Sequence, residues 1–394
     1  MTETRVLHLN ATLSEGGAAG VARTLHEEMI EHGLSSRIVY GYGPHGGPSP
    51  LESQFQASRL AARADVAFNR LWFPTSGHDH SRVHARRWQA LRHAAEASDV
   101  IHLHVIHSYF ASTTALGRLI QNLRKPVVWT LHDQWIMTGR CAQPKGCRRW
   151  EIGCHPCPHL SAYPPAWVDH TATTFGERRE FVSSIRASAP LAIVACADWL
   201  RRDAEQAGLG PIDLVHNSVD REFWGALSTS TPRTADTLQV VLVCKNLRDQ
   251  GKVHWPTIAA VAEIPGIAVT VVGDDPPFRP EGVTFIPSVS NRTSLARLLQ
   301  HMDVLLFTSV VDYFPLTIVE ALTAGLRILA VDSDASRELK EFGDVAIFST
   351  VADAKSALLD MQLSRTAPSS RPEYFAPSRM ANDYAEIYRR LLAA

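Results

Sequence analysis

Short, continuously apolar runs alternate with amphipathic stretches along the chain. Arg5-Val-Leu-His-Leu9, Ser36-Arg-Ile-Val-Tyr40, Asp99-Val-Ile-His-Leu-His104, Pro126-Val-Val-Trp-Thr-Leu-His132 and Leu191-Ala-Ile-Val-Ala-Cys196 have the length of strands and little polar alternation. That pattern predicts strands buried on both faces. Between them, helical periodicity runs from Gly20 to His32-Gly33, and residues 54 to 95 hold two more helical patterns. The alternation restarts at Leu238-Gln-Val-Val-Leu-Val-Cys244 and continues with apolar runs at 267–272, 283–286, 303–307 and 327–331. Pro315 suits a first helical turn, so the apolar stretch to Leu322 reads as a helix. Arg379 to Leu392 reads as a last amphipathic helix.

Two series of strand–helix repeats with short connections predict an α/β protein of two doubly wound, Rossmann-like domains facing a cleft. Ser228-Thr-Ser-Thr-Pro-Arg-Thr-Ala-Asp-Thr is polar and lacks periodicity, which puts the boundary near it. The expected organisation is a first domain over 1–207 with a cysteine-rich loop at 133–170, a linker at 208–236 and a second domain over 237–376. The terminal segment 377–394 is expected to pack back toward the first domain. A chain of 394 residues is long enough for two cores.

Composition narrows the function by exclusion. A formal charge of -1 lacks the basic excess of a dedicated nucleic-acid binder. The first residues lack a charged segment followed by an apolar one, and no apolar run reaches membrane-spanning length. The expected location is the cytoplasm, where cysteines act as thiols or metal ligands before disulfides. One local excess stands out: Arg59, Arg63, Arg70, Arg82, Arg86, Arg87 and Arg92 interleave with Phe68, Leu71, Trp72, Phe73 and Trp88. Such a segment is either a solvated helix face with its aromatic side in the core, or a surface for peripheral contact with anionic lipid.

The candidate chemistry sits at predicted strand ends, where open α/β sheets bind ligands. Asp312 and Glu320 lie eight positions apart, one in a loop and one on the following helix. Lys245-Asn-Leu-Arg248-Asp-Gln-Gly251-Lys252 follows the first strand of the second half and can clamp a diphosphate. Gly16-Gly17 precede the first helix without the spacing of a dinucleotide or P-loop motif. Their bare backbone can approach a phosphate or sugar hydroxyl, or simply make a tight turn. His132 ends a buried strand with Asp133 beside it. Cys141, Cys147, Cys154 and Cys157 follow within 17 residues, a density that suggests a structural tetrathiolate zinc, with disulfides as the alternative.

Taken together, these residues resemble the retaining glycosyltransferases of the GT-B fold, family four. The likeness runs over nearly the whole chain through Gly16-Gly17, His132, Val215-His-Asn217-Ser-Val-Asp220 and the terminal carboxylate pair. The stretch Thr130-Leu-His-Asp-Gln-Trp135-Ile-Met-Thr138-Gly139-Arg-Cys141, with its later cysteines, resembles the branch of colanic-acid-type enzymes. This resemblance implies transfer of a sugar from a nucleoside diphosphate sugar to a hydroxyl acceptor, with retention and without a catalytic metal or cofactor. It also implies that Glu320 binds the nucleotide ribose, Asp312 contacts the donor sugar and Lys252 neutralises the diphosphate. His132 is expected near the transferred sugar and Gly17 in the loop facing the phosphates or acceptor. Four departures are visible: Asp312 replaces the first glutamate of E-x7-E, Val253 the glycine after the lysine, Asp334-Ala335 the Gly-Gly of many relatives, and Asn246 stands where a partner arginine is usual. Arg248 or Lys245 would then compensate. A non-catalytic sugar-nucleotide-binding scaffold of the same fold is the alternative.

Overall fold

The computed structural model describes residues 4–78, 81–161, 164–227, 237–364 and 372–394. The chain divides into two compact units, Met1–His216 with Met380–Ala394, and Asn217–Arg379.

The first unit runs β1 (Arg5–Asn10), α1 (Gly17–Glu31), β2 (Ser35–Tyr40), β3 (Ser58–Arg59), α2 (Arg63–Ser76), α3 (Ala85–Ala97), β4 (Val100–Leu103), α4 (Thr113–Leu123), β5 (Val127–Leu131), α5 (Thr171–Ser188), β6 (Leu191–Ala195), α6 (Asp198–Gln206) and β7 (Ile212–Leu214). Its sheet has the order β3-β2-β1-β4-β5-β6-β7, parallel throughout. Strands such as Val127–Leu131 are enclosed on both faces by helices, which is why their sequence reads as an unbroken apolar run.

The second unit holds α7 (Arg221–Ala226), β8 (Leu238–Asn246), α8 (Trp255–Ala262), β9 (Ile267–Asp274), β10 (Val283–Ile286), α9 (Arg292–Gln300), β11 (Val304–Phe307), α10 (Leu316–Thr323), β12 (Arg327–Val331), α11 (Asp334–Leu339), β13 (Val345–Phe348) and α12 (Val351–Ser364). Its parallel sheet has the order β10-β9-β8-β11-β12-β13. Leu238, Val240, Leu242, Val269, Val271, Val304, Leu306 and Leu329 form its centre, roofed by Ile258, Val261, Leu358 and Met361 from α8 and α12. A last helix, α13 (Pro377–Leu392), carries the chain back: Tyr384 and Tyr388 are buried against Thr130 and His102 of the first unit.

The expected linker at 208–236 is corrected by the structure. Its first part folds as β7 and α7, and the division falls at His216/Asn217; residues 228–236 lie outside the described residues. β7 has only three residues, β3 only two, and neither is long enough to give a sequence period. The region of seven arginines is corrected in part as well. Val66, Asn69 and Phe73 of α2 face inward, but Phe68, Leu71 and Trp72 are 39%, 72% and 47% exposed. One aromatic face therefore does not enter the core.

In both sheets the chain turns back to start the second half beside the first strand. That switch point lies between β1 and β4 in one unit and between β8 and β11 in the other. Helices leave both neighbours on opposite faces there, so the carboxyl ends open into a crevice.

Candidate functional site

At the switch point of the second unit the loops after β8 and β11 are tied together. The Val310 N–H donates to the Gly251 carbonyl at 3.0 Å, and the Thr308 hydroxyl donates to the Lys252 carbonyl at 2.8 Å. The loop after β8 is folded on its own polar side chains: Asn246 accepts from the Arg248 N–H at 3.0 Å and Asp249 from the Gly251 N–H at 2.9 Å. β8 itself ends in a register shift between Val243 and Asn246. Gly273 of β9 makes room for it, because a Cβ there would lie 1.9 Å from the Cys244 carbonyl oxygen.

This geometry delivers Lys252 to Asp312, with Nζ donating to Oδ1 at 2.7 Å. Burial pulls the ammonium down, but the charge and hydrogen bond of Asp312 outweigh it and leave the Lys252 pKa raised. A permanent cation is thus anchored beside a carboxylate at the strand ends. Lys245 and Arg248 belong to the same segment and have exposed side chains.

Glu320 lies in the second turn of α10 and is buried. Its carboxylate accepts from Arg292 Nη2, while Arg292 Nε donates to Asp220. Burial would lower the Arg292 pKa, yet the two carboxylates raise it above its ordinary value. Burial pushes the Glu320 carboxyl up, and Arg292 pulls it back. Asp220 has a second task, accepting from the Phe223 N–H at 2.8 Å as the N-cap of α7. The arginine also lies over the Phe223 ring, 5.3 Å from its centre. Sequence reasoning found Glu320 and passed over Arg292. The available signal was modest: an arginine directly after the helix-capping Asn291 on the loop following β10.

In the first unit Gly16 has φ 85° and caps α1, a conformation glycine adopts without strain; Gly16 and Gly17 are exposed. His132 stands just after β5, but Asp133 is not its partner. Asp133 accepts from His107 Nε2 at 2.8 Å and from the Trp135 N–H at 2.9 Å. His132 Nε2 meets His104 Nδ1 at 3.1 Å, and His104 Nε2 meets His8 Nδ1 at 3.2 Å. The neighbour in sequence is taken by other groups, and the hydrogen-bond contact of His132 comes from His104, the residue after β4.

The four cysteines line one cavity of about 180 Å³ together with Arg140, Trp150 and His159. Sharing that cavity does not bring their sulfurs to one point in this structure. Among the described residues the group of potential metal ligands within 4.8 Å of one another is His8, His102 and His104, so no three of the thiols converge that closely. All four are free, and burial raises the Cys141 and Cys154 thiols above their ordinary pKa. Arg140, also part of the lining, has Nη2 3.9 Å from Cys157 Sγ.

Comparison with known proteins fits this architecture. Residues 15–223 match the family described as Glycosyltransferase Family 4, and residues 240–361 match Glycosyl transferases group 1. The putative colanic acid biosynthesis glycosyl transferase WcaC of Escherichia coli K12 is 29% identical over 98% of this chain and 100% of its own length. A sucrose-phosphate synthase from Thermosynechococcus elongatus superposes with a TM-score of 0.66 at 15% identity, covering 99% of this chain and 100% of the other. Anabaena HepE, solved with UDP-glucose, superposes with a TM-score of 0.63 at 15% identity and the same coverage. With a family match over more than half of the chain, on two parallel sheets of GT-B type, this protein belongs to glycosyltransferase family 4.

Proposed function

We propose that the protein transfers a sugar from a nucleoside diphosphate sugar to a hydroxyl acceptor with retention of configuration. The observation that carries this reading is the anchored Lys252–Asp312 pair at the switch point of the second unit. Cleavage of the donor leaves a diphosphate whose growing charge needs a positioned cation, and Lys252 supplies one without a metal. Lys245 and Arg248, exposed on the same segment, add to that field. Asp312 exchanges its lysine contact for the donor sugar as the diphosphate arrives. Glu320, held in orientation by Arg292, accepts from the ribose hydroxyls, and His132 donates to the sugar as positive charge develops on it. The bare backbone at Gly16 and Gly17 leaves room for the phosphates or the acceptor. Anabaena HepE, a structure with UDP-glucose bound, supports a nucleotide sugar as donor.

The alternative is a scaffold that binds a sugar nucleotide without turning it over, motivated by Asp312 in place of glutamate. Mass spectrometry of UDP-, GDP- and dTDP-sugars incubated with the protein separates the two. Donor consumption with release of the nucleoside diphosphate is expected; binding of a nucleotide sugar with no consumption, with or without acceptor, would establish the scaffold.

Two further parts of the proposal concern surroundings. The name of the WcaC relative favours a polysaccharide or lipid-linked acceptor. No described helix is long and apolar enough to cross a membrane. The exposed stripe of Phe68, Leu71 and Trp72, with Arg82 placed over Phe68, supports peripheral contact with an anionic lipid surface. Structural zinc at Cys141, Cys147, Cys154 and Cys157 is supported by four free thiols lining one cavity.

A further inference from the structure

Three histidines form a file through the first sheet, from its interior to its carboxyl edge. His8 lies within β1 and pairs in register with His102 of β4; both are fully enclosed. His104 follows β4, is 2% exposed, and is fixed at its backbone by the Leu9 carbonyl at 2.9 Å. His132 follows β5 and is half-buried. The contacts run in series, His8 Nδ1 to His104 Nε2 and His104 Nδ1 to His132 Nε2, at 3.2 and 3.1 Å. His102 stacks on His104 with ring centres 4.2 Å apart but stays out of the file. Its own nitrogens are taken by Tyr388 at 2.6 Å and Thr130 at 2.8 Å.

A nitrogen–nitrogen hydrogen bond needs one N–H and one lone pair, and a neutral imidazole carries one of each. Burial keeps these rings neutral, pulling His8 down to about 3, His132 to about 4 and His104 well below the ordinary histidine value. Three neutral rings in series therefore have only two arrangements. With hydrogens pointing inward, the single N–H of His8 must sit on Nε2. That atom is buried and has no partner among the described residues. With hydrogens pointing outward, Nε2 is a bare nitrogen, and every N–H in the file finds an acceptor up to His132. Orphaned buried N–H groups are the rarer of the two defects.

We propose that His8 and His104 are positioning residues that fix His132 as the Nδ1–H tautomer, so that it meets the donor sugar as a hydrogen-bond donor and not as a base. The inference rests on the reading of His132 as a sugar-facing residue but is measured separately from it. The closed end of the file, buried in β1, sets the proton arrangement at the open end. His132 Nε2 is occupied by His104, so Nδ1 is the nitrogen left for substrate.

The experiment is a long-range ¹H–¹⁵N correlation spectrum of the histidine-labelled protein near pH 7, with His132 assigned by loss of its signals in His132→Gln. A protonated Nδ1 and bare Nε2 are expected; a protonated Nε2 on His132 overturns the proposal. Two variants give a kinetic readout. His104→Phe removes the donor to His132 and is expected to lower kcat roughly tenfold with donor KM changed less than about threefold. His104→Gln keeps an N–H donor and should recover most of that loss. Equal loss in both variants at matched folding would also overturn the positioning role. A chain that consumes no nucleotide sugar would refute the proposed function, while the spectrum would still report the tautomer.

Discussion

The carboxylate at Glu320 offers the sharpest test, because its stability and binding contributions can be separated. Its side chain is 8% exposed and faces Arg292, which is 29% exposed and shared with Asp220. Removing one partner of a fully buried pair costs about 3–5 kcal/mol. Arg292 retains Asp220 and some solvent, so Glu320→Gln is expected to cost about 2 kcal/mol, near the value of a charged hydrogen bond. For a unit of this size that is a fall in Tm of about 4–8 °C. The double variant Arg292→Met/Glu320→Leu removes both charges and fills their space with apolar atoms, and it should regain most of the loss. Asp220 then keeps its bond from the Phe223 N–H at 2.8 Å. Thermal unfolding followed by circular dichroism measures the first quantity, and titration calorimetry with nucleoside diphosphates and their sugars measures the second. Restored stability with donor binding still lost is the expected pair of results. Wild-type affinity in the double variant would refute the ribose role, and an unchanged Tm in Glu320→Gln would refute the energetic reasoning.

Other expectations follow from the same geometry. Lys252→Met should weaken binding of a nucleoside diphosphate by about tenfold, the low end for a charged hydrogen bond given a side chain 36% exposed, and affect the free nucleoside little. Low pH should destabilise the protein through His8, His102 and His104. Their folded pKa values are depressed, so the unfolded chain takes up protons first and stability is lost as pH falls below about 6.5. Each contributes up to about 1.4 kcal/mol per pH unit, and urea midpoints unchanged between pH 7 and 5 would contradict this. Sedimentation with vesicles containing anionic lipid should capture the wild type and leave Leu71→Asp/Trp72→Asp in solution; equal capture of both, or self-association of the wild type through this face, argues against lipid contact. Elemental analysis of protein purified without chelator should find about one zinc per chain if the four thiols close, as four-sulfur structural sites do.

The periodic pattern alone determined the fold class, since enclosed parallel strands and their covering helices write distinct periods into the sequence. The carboxyl-end location of Lys252, Asp312, Glu320 and His132 was legible for the same reason: His132 directly follows an apolar run, and the other three lie in the loop or helix that comes after one. Partnership was not. Asp133 is adjacent to His132 yet binds His107, and Glu320 is held by Arg292, 28 residues away across two strands. Sheet order decides such pairings: β8 lies beside β11 and β1 beside β4 only because the chain turns back at each switch point. The cysteine loop shows the limit from the other side, where a dense spacing specified nearness but not convergence, since side-chain direction depends on backbone turns that spacing does not encode. The histidine file belongs wholly to the tertiary structure. Its members come from β1 and from the ends of β4 and β5, and a ring's proton is set by the nitrogen facing it rather than by its place in the chain.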